Sequence, residues 1–284
     1  MKKKKGNFTT LLLILVLLAG LSLLLYPSVS DYWNSFHKTR AIATYAEEVA
    51  NLNQDQYDEI WAAAESYNAS LTDRVNAYLL SDAQKEEYQQ LLNVSGLGVM
   101  GYIEIPSIDC SLPIYHGTEE SVLQIAVGHL EWSSLPVGGE STHCVLSGHR
   151  GLPSSELLTN LDHLEYGDAF YLHVLGDTLE YRVDRVTIVE PGDFQLLGIE
   201  EGKDYVTLIT CTPYGINSHR LLVRGVRVAA GAHGSAALPL INEVRSLDMK
   251  YVILAVPLAL AVVVFLVLTL DKQKRKKKGE SADE

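Results

Sequence analysis

The amino-acid sequence predicts a mainly β domain, a closed sheet with short helices, which follows a helical stalk and is flanked by two transmembrane helices. Three observations carry this prediction. Seven or eight short runs of β-type residues, broken by Gly, Pro and Asp, fill the middle of the chain, two segments with helical spacing precede them, and an apolar run lies near each end. Short antiparallel strands favour a closed sheet, because closure removes exposed edges.

The two apolar runs, residues 8–26 and 251–270, each have about the 20 residues that a membrane-spanning helix needs. Four lysines precede the first run, and six basic residues follow the second. Basic residues collect on the cytoplasmic side, so we expect both chain ends to be cytoplasmic and the part between the runs to be extracellular. The alternatives are a cleaved signal peptide for the first run, which lacks a small-residue cleavage site, and a buried core helix for the second.

These runs divide the chain into seven predicted segments. They are a basic cytoplasmic tail (1–7), a transmembrane anchor (8–26), an extracellular helical stalk with a connector (27–98), a β-barrel domain (99–230), a linker (231–250), a second transmembrane helix (251–270) and a second basic tail (271–284).

Helical spacing of apolar residues over 30–53 and 54–68 predicts two stalk helices that pack on the domain, with Ser30 and Asp31 as N-cap candidates. A polar connector follows, with a helical turn expected around residues 83–92.

Short β-type runs begin at Val99, and two segments that interrupt them, Ser121–Val127 and Ser154–Leu161, are expected to form single helical turns. The runs are MGYIEI, CSLPIYH, HCVLSGH, AFYLHVL, LEYRVDRVTIV, YVTLIT and HRLLVRGVRV.

The charge of the extracellular part excludes one class of partner. The chain has 23 basic and 35 acidic residues; the two tails hold ten of the basic and four of the acidic ones, which leaves 13 against 31 and a net charge near −18. Such a surface argues against nucleic-acid binding and suits a cationic partner, although solubility alone also explains it. No Cys or His spacing typical of zinc is present, so we expect neither a metal nor a cofactor.

Three cysteines, Cys110, Cys144 and Cys211, cannot all pair with one another. Cys110 and Cys144 lie in apolar runs, where we expect buried free thiols; a mutual disulfide is the alternative. Cys211 ends an apolar run, where its side chain can emerge at the rim of a barrel. A nucleophilic cysteine needs a base or a cation beside it, because an ordinary thiol is mostly protonated at neutral pH.

Two residues can supply that environment. His149 follows an apolar run and lies between two glycines in LSGHRG, which suits an imidazole that faces a cleft, although a solvated turn histidine fits the same pattern. Arg220 opens the run RLLVRGVRV and can stabilise an oxyanion. Arg224 shares the side of Arg220 at a two-residue period and is the competing candidate, whereas Arg227 faces the other way.

Taken together, these residues resemble a known signature. The stretch TLITCTPYGINSHRLLVRG, with HGTEES, GHLEWSSLPVGG and LSGHRGLPSSELLTNLDHL upstream, is similar to the sortases, cysteine transpeptidases with a TLxTC motif, a following arginine and an upstream histidine. The resemblance covers roughly residues 98–228 and is closest to the class C, or pilin-assembling, branch. The stalk and the second membrane helix also resemble that branch.

The resemblance implies an eight-stranded β-barrel, with Cys211 as nucleophile, His149 as acid and base, and Arg220 as the stabiliser of substrate and oxyanion. Thr210 matches the family motif and is a candidate for binding substrate, with an ordinary strand residue as the alternative; Leu146 is the second candidate substrate-binding residue. The implied substrate is an LPXTG-like sorting signal that is cleaved after Thr, and the acceptor is a lysine amine of a pilin. A cell-wall precursor amine is the alternative acceptor, and a membrane-tethered binding barrel without catalysis is the alternative from another class. We expect the segment Glu190–Lys203 to form a wall of the substrate groove.

One feature of the branch is missing from the connector. Class C sortases commonly carry an Asp-Pro-aromatic lid over the cysteine, whereas here the nearest candidates are Asp73-Arg74-Val75 and Asp82-Ala83-Gln84. Neither supplies the proline or the aromatic ring; Tyr78 is a further candidate for a lid side chain.

Overall fold

The chain divides into two compact units, residues 1–27 with 239–284 and residues 28–238. The computed structural model describes residues 5–71 and 79–228. Helix α1, Lys5–Ala50, begins in the first unit, and from Leu12 onward it is long and apolar enough, by length and composition, to cross a membrane. The predicted linker and the second membrane helix, residues 231–250 and 251–270, lie outside the described residues.

Three helices precede the sheet: α1, then α2 (Gln54–Leu71) and α3 (Asp82–Gln90). The predicted stalk helices and the helical turn in the connector are therefore confirmed, but the expected N-cap at Ser30 and Asp31 is wrong. Helix α1 continues through Pro27 from the apolar run, so both residues lie inside it. A reciprocal pair of side-chain hydrogen bonds caps α3, between Ser81 and Gln84.

Eight strands form the predicted closed barrel, in the order β1-β2-β3-β4-β7-β8-β6-β5. Neighbouring strands are antiparallel except for β2 with β3 and β4 with β7, which are parallel. The strands are β1 (Val99–Ile105), β2 (Cys110–His116), β3 (Val127–His129), β4 (Thr142–Ser147), β5 (Ala169–Val174), β6 (Asp177–Val189), β7 (Asp204–Thr212) and β8 (His219–Arg227).

Two local expectations need correction. The helical turn predicted over Ser121–Val127 is shorter and earlier, α4 at Glu120–Leu123, and Val127 already belongs to β3. Ser154–Leu161 forms a series of turns, and a 3₁₀ helix begins only at Leu161. Two other 3₁₀ helices are Pro106–Ile108 and Gln195–Leu197.

Side chains that alternate along β4, β7 and β8 separate the core into two apolar clusters. The inner cluster fills the barrel and includes Leu146, Leu208 and Val223. The residues between them point outward and form a second cluster, which we call the outer patch. Its members are Val145, Leu197, Ile209 and Leu222, with Leu130, Trp132, Val189 and Leu196 packed against them.

The helices α1 to α3 pack on the barrel through buried polar contacts as well as apolar ones. The Tyr45 hydroxyl on α1 donates to the Met100 carbonyl at 2.9 Å and accepts from the Leu175 amide at 2.8 Å. The Asn68 side chain on α2 donates to the Leu135 carbonyl at 3.1 Å and accepts from the Leu135 amide at 2.7 Å. These bonds satisfy backbone groups that the sheet leaves unpaired, which fixes the stalk against the domain.

Candidate active site

The ladder between β4, β7 and β8 brings together the three residues predicted to carry catalysis. Cys211 on β7 is directly paired with Arg220 on β8. On the other side of β7, Ser147 pairs with Ile209 in parallel register, and the Gly148 amide donates to the Ile209 carbonyl at 3.0 Å. Continuing this register by two residues places the backbone of His149 beside Cys211. The nucleophile candidate is therefore flanked by the histidine on one side and the arginine on the other.

The same three side chains belong to the outer face of the barrel. Ile209 and Leu222 lie in the outer patch, and side chains two residues apart on a strand share a face. Cys211 follows Ile209 by two positions, and Arg220 precedes Leu222 by two. His149 follows Val145, another member of the patch, by four positions, so the alternation of side chains along β4 predicts the same face for both. All three candidates thus lie at one end of the apolar outer patch.

Cys211 differs from the other two thiols in its surroundings. All three cysteines are unpaired, which confirms the prediction of free thiols at Cys110 and Cys144. Burial raises the pKa of Cys110 to about 12 and that of Cys144 well above its usual value, so neither forms a thiolate readily. Cys110 keeps some exposed surface, but its sulfur lies 3.7 Å from the Leu157 carbonyl and is desolvated there. Cys211, half-buried at the rim, is the thiol that a substrate can reach.

His149 has a charged neighbour that the sequence did not reveal. Its Nε2 lies 3.3 Å from Oε2 of Glu120 on α4, and about a quarter of the His149 side chain is exposed. A second contact, from the Gln124 amide at 3.0 Å, orients the same carboxylate. Hydrogen bonds from Gln124 and from His149 lower the pKa of Glu120. Because a carboxylate only accepts, the contact assigns a proton to Nε2 and leaves Nδ1 for chemistry.

The residues on either side of His149 form hydrogen bonds that hold its loop in place. The hydroxyl of Thr210 donates to the Gly148 carbonyl at 2.8 Å, inside the protein. Arg150 is nearly buried, forms an ion pair with Asp162 and donates to the Thr212 hydroxyl at 3.3 Å. The contacts of Gly148 with Thr210 and of Arg150 with Thr212 tie the residues on either side of His149 to the end of β7, which carries Cys211.

The two residues predicted to bind substrate lie elsewhere than expected. Leu146 is fully buried in the inner cluster, and Thr210 is buried with its hydroxyl on Gly148. Because side chains alternate along β4 and β7, both Leu146 and Thr210 face the barrel interior. The structure therefore does not bring their side chains to the outer face with Cys211. Val145, Leu197, Ile209 and Leu222 of the outer patch are buried, so the apolar surface on this face comes from Leu130, Trp132, Val189 and Leu196, which are partly exposed.

The structure distinguishes the two competing arginines. Arg224 is buried, with Asp184 at 2.7 Å, Glu200 at 3.1 Å and the ring centroid of Tyr205 at 3.9 Å. Arg220 is partly exposed and donates to backbone carbonyls of Asn217 and His219, at 3.3 and 3.1 Å. Within the described residues no carboxylate pairs with Arg220. The Arg220 guanidinium can therefore bind a developing anion, whereas the Arg224 guanidinium already binds two carboxylates of the protein.

The segment Glu190–Lys203, expected to wall the groove, contributes Leu196 and Leu197 to the outer patch. Phe194 of the same segment packs edge-on against Trp132, which also belongs to the patch. The segment therefore covers part of the outer face near the end of β6, beside the strands that carry the candidate residues.

The connector holds one lid candidate that can be located. Asp82-Ala83-Gln84 forms the first turn of α3, where the Gln84 side chain caps the helix with Ser81. Asp73-Arg74-Val75 and Tyr78 lie outside the described residues. Over residues 5–71 and 79–228, no cluster of three or more His, Cys, Asp or Glu side chains is arranged to hold a metal ion.

A family model described as a sortase domain matches residues 103–228. The chain is similar to the crystal structure of sortase C1 from Streptococcus agalactiae, with 47% identity and a TM-score of 0.65, covering 68% of this chain and all of that one. It is also similar to Streptococcus pneumoniae sortase C, with 44% identity and a TM-score of 0.59 over 68% of this chain and 98% of that one. Sortase D of Bacillus subtilis is 32% identical over 45% of this chain, and the match spans 63% of the length of that relative.

Proposed function

Since this chain belongs to the sortase family of cysteine transpeptidases, we propose that it cleaves an LPXTG-like sorting signal after Thr and joins the new carboxyl end to a lysine amine of a pilin subunit. The structural neighbours named sortase C support the pilin branch, because the structure of the Streptococcus pneumoniae enzyme is described as giving insight into pilin substrate specificity. Cys211, His149 and Arg220 are the proposed catalytic residues.

The observation that carries the proposal is the register across β4, β7 and β8. It pairs Cys211 with Arg220, and on the opposite side of β7 it pairs Ser147, two residues before His149, with Ile209, two residues before Cys211. A thiol, an imidazole and an unpaired guanidinium on one face supply a nucleophile, a proton carrier and an oxyanion stabiliser. The partly exposed members of the outer patch, Leu130, Trp132, Val189 and Leu196, suit the apolar Leu and Pro of a sorting signal.

In the first half-reaction the Cys211 thiolate attacks the Thr carbonyl carbon of the signal. The carbonyl electrons move to oxygen, and the Arg220 guanidinium stabilises the negative charge there. When the tetrahedral intermediate collapses, the Thr–Gly bond breaks, and protonated His149 gives its proton to the departing glycine amine. A thioester to Cys211 remains.

The second half-reaction reverses these roles. The acceptor amine attacks the thioester carbon, His149 takes a proton from the amine nitrogen, and the carbon–sulfur bond breaks to return the thiolate. The products are an isopeptide bond and free enzyme with His149 protonated, so the cycle closes without net change in the protein. The Glu120 carboxylate lies 3.3 Å from Nε2 of His149 and orients the imidazole for both halves.

We propose that the enzyme works as a two-pass membrane protein, with the barrel extracellular and both chain ends cytoplasmic. The apolar, N-terminal part of α1 supports the first crossing. The basic cluster that follows residues 251–270 supports the second through the distribution of charge. In this arrangement the acidic outer domain faces the cationic lysines of its substrates.

The test is a choice of acceptors offered to the acylated enzyme. The full chain is incubated with an LPXTG-type peptide and then, separately, with a lysine-bearing pilin domain, a cell-wall precursor amine or water alone. We expect an isopeptide product with the pilin domain and slow hydrolysis without it. If only the cell-wall precursor resolves the thioester, the enzyme anchors proteins to the wall and the pilin assignment is wrong.

A further inference from the structure

One side of α1 in the second unit is apolar, aromatic and exposed. Val29, Trp33 and Phe36 leave 46%, 64% and 59% of their surface accessible, and Arg40 is exposed as well. The spacing of four, three and four residues places them on one side of a helix with 3.6 residues per turn. We call these four residues the α1 stripe.

The opposite side of the same helix is docked on the domain. The Asn34 side chain donates to the Ser154 carbonyl at 2.8 Å, and the Asp31 carboxylate accepts from the Glu156 amide at 3.1 Å. Burial lowers the pKa of Lys38 on this side. The α1 stripe therefore faces away from the barrel, and its exposure follows from how the helix is held.

The residue types in the α1 stripe fit the boundary between lipid and water. Tryptophan and other aromatic rings are enriched at headgroup level, and a basic residue suits lipid phosphates. Beyond Arg40 the exposed residues turn acidic, at Glu47 and Glu48, which suits water rather than a phosphate layer. Composition thus changes from apolar run to aromatic and basic stripe to acidic helix, in the order in which a chain leaves a membrane.

The position along the chain agrees with this composition. The apolar run ends at Tyr26, and Ser28 begins the second unit. Val29 and Trp33 lie three and seven residues after Tyr26, which is about 4–5 Å and 10–11 Å at the rise of an α-helix. Side chains on a helix lean toward its N-terminus, which brings the Trp33 ring closer to the end of the apolar run. The headgroup region on each side of the hydrocarbon is roughly 5 to 8 Å thick. A ring at Trp33 is thus within reach of that region.

We infer that Val29 and Trp33, the N-terminal part of the α1 stripe, form a lipid-contact surface at the headgroup layer of the membrane that the N-terminal run enters. This inference rests on the membrane anchoring in the proposed function. It also has a consequence for the site, since Asn34 and Asp31 contact residues only five to seven positions beyond His149. A helix steadied by lipid on one side would steady the His149 loop on the other.

The inference can be tested with the fluorescence of Trp33 in the full chain, reconstituted into nanodiscs of phosphatidylcholine and phosphatidylglycerol. The chain has three tryptophans, at 33, 61 and 132. The emission lost on Trp33→Phe isolates the signal of Trp33, and Trp61→Phe is the matched control for an extracellular tryptophan on the next helix. Quenching is measured with lipids that carry a nitroxide at the headgroup and, separately, with iodide in the water.

We expect the nitroxide lipid to quench most of the Trp33 signal and iodide to quench little of it, while the Trp61 signal is insensitive to the lipid label. If the chain co-elutes with nanodiscs but iodide alone quenches Trp33, the stripe lies in water and the inference is wrong, although anchoring stands. If neither the nitroxide lipid nor iodide quenches the Trp33 signal, a protein surface such as a second copy of the chain covers the stripe, and the inference is again wrong. A chain that does not co-elute with nanodiscs overturns both the anchoring and the inference.

Discussion

Arg220 and Arg224 lie on the same face of β8, four residues apart, yet replacing them should have opposite consequences. Arg224 is surrounded by Asp184, Glu200 and Tyr205, whereas Arg220 contacts backbone carbonyls and no carboxylate in the described chain. We predict that Arg224→Ala lowers stability and that Arg220→Ala lowers turnover. The two variants are matched controls for each other.

The stability cost of Arg224→Ala follows from the groups that it leaves behind. Asp184 loses hydrogen bonds of 3.0 and 2.7 Å and is only about one-fifth exposed, so water replaces them poorly. Breaking a buried ion pair costs about 3–5 kcal/mol, and the partial exposure of Asp184 and Glu200 reduces this to roughly 2–3 kcal/mol. For a chain of this size the melting temperature should fall by about 4–12 °C.

The cost of Arg220→Ala should appear in the reaction instead. A partly exposed side chain with no ion pair changes stability by about 0.5 kcal/mol or less. Loss of one oxyanion donor lowers turnover by about 10²–10³-fold, or roughly 3–4 kcal/mol in the barrier. Arg220→Lys keeps the charge without the forked donor geometry and should recover only part of the activity.

Both quantities are measurable on the same preparations. Peptide cleavage gives kcat/KM at a temperature well below every melting transition, and thermal unfolding by circular dichroism gives Tm. If Arg224→Ala, while folded, loses as much activity as Arg220→Ala, or if Arg220→Ala lowers Tm as Arg224→Ala does, the assignment of the oxyanion donor to Arg220 is wrong.

Three further outcomes are expected. Glu120→Gln should lower kcat/KM at low salt. The difference in kcat/KM between the variant and the wild type should become smaller at high salt, because the contact with His149 is exposed and salt screens it. A difference that does not depend on salt would contradict a charge effect. Burial lowers the pKa of His129 to about 4 in the folded protein, so as pH falls the unfolded chain takes up a proton at His129 before the folded chain does. Roughly 3 kcal/mol of stability that is present above pH 6.5 should therefore be lost as pH falls to about 4. In His129→Gln the Tm should depend less on pH over this range. A thiol reagent should label the folded protein once, at Cys211, and all three cysteines only after unfolding; early labelling of Cys144 would contradict its burial.

Much of the barrel could be predicted from the sequence, because its strands are local patterns of β-type residues bounded by turn residues. The exception is β3, only three residues long, Val127–His129, which is too short to show alternation and follows a helical turn. The continuity of α1 was also missed, since Ser30 and Asp31 suggested a helix start where the structure has none. The first error is a missed short strand and the second a misplaced helix start, and neither changes the predicted barrel.

The candidate site was predictable in part, for a physical reason. Cys211 and Arg220 belong to consecutive strands, so their pairing follows from a hairpin that can be read locally. The approach of His149 depends on the parallel pairing of β4 with β7, strands separated by two others in sequence. Glu120 was missed because its contact with His149 joins helix α4 to the loop after β4, and no local sequence signal predicts that approach. The choice between Arg220 and Arg224 depended on the contacts of Asp184 and Glu200 with Arg224. The strand periodicity of the sequence does not predict these contacts.

Whether Cys211 on the outer face of the barrel forms the acyl-enzyme is decided by the mass of the protein after incubation with an LPXTG-type peptide. The protein should gain the mass of the peptide up to its threonine, and digestion should locate this mass at Cys211 as a thioester sensitive to hydroxylamine. Cys110→Ala should still be acylated, and Cys211→Ala should not. Acylation that persists in Cys211→Ala, or none in the wild type, would contradict the role of Cys211 as the nucleophile.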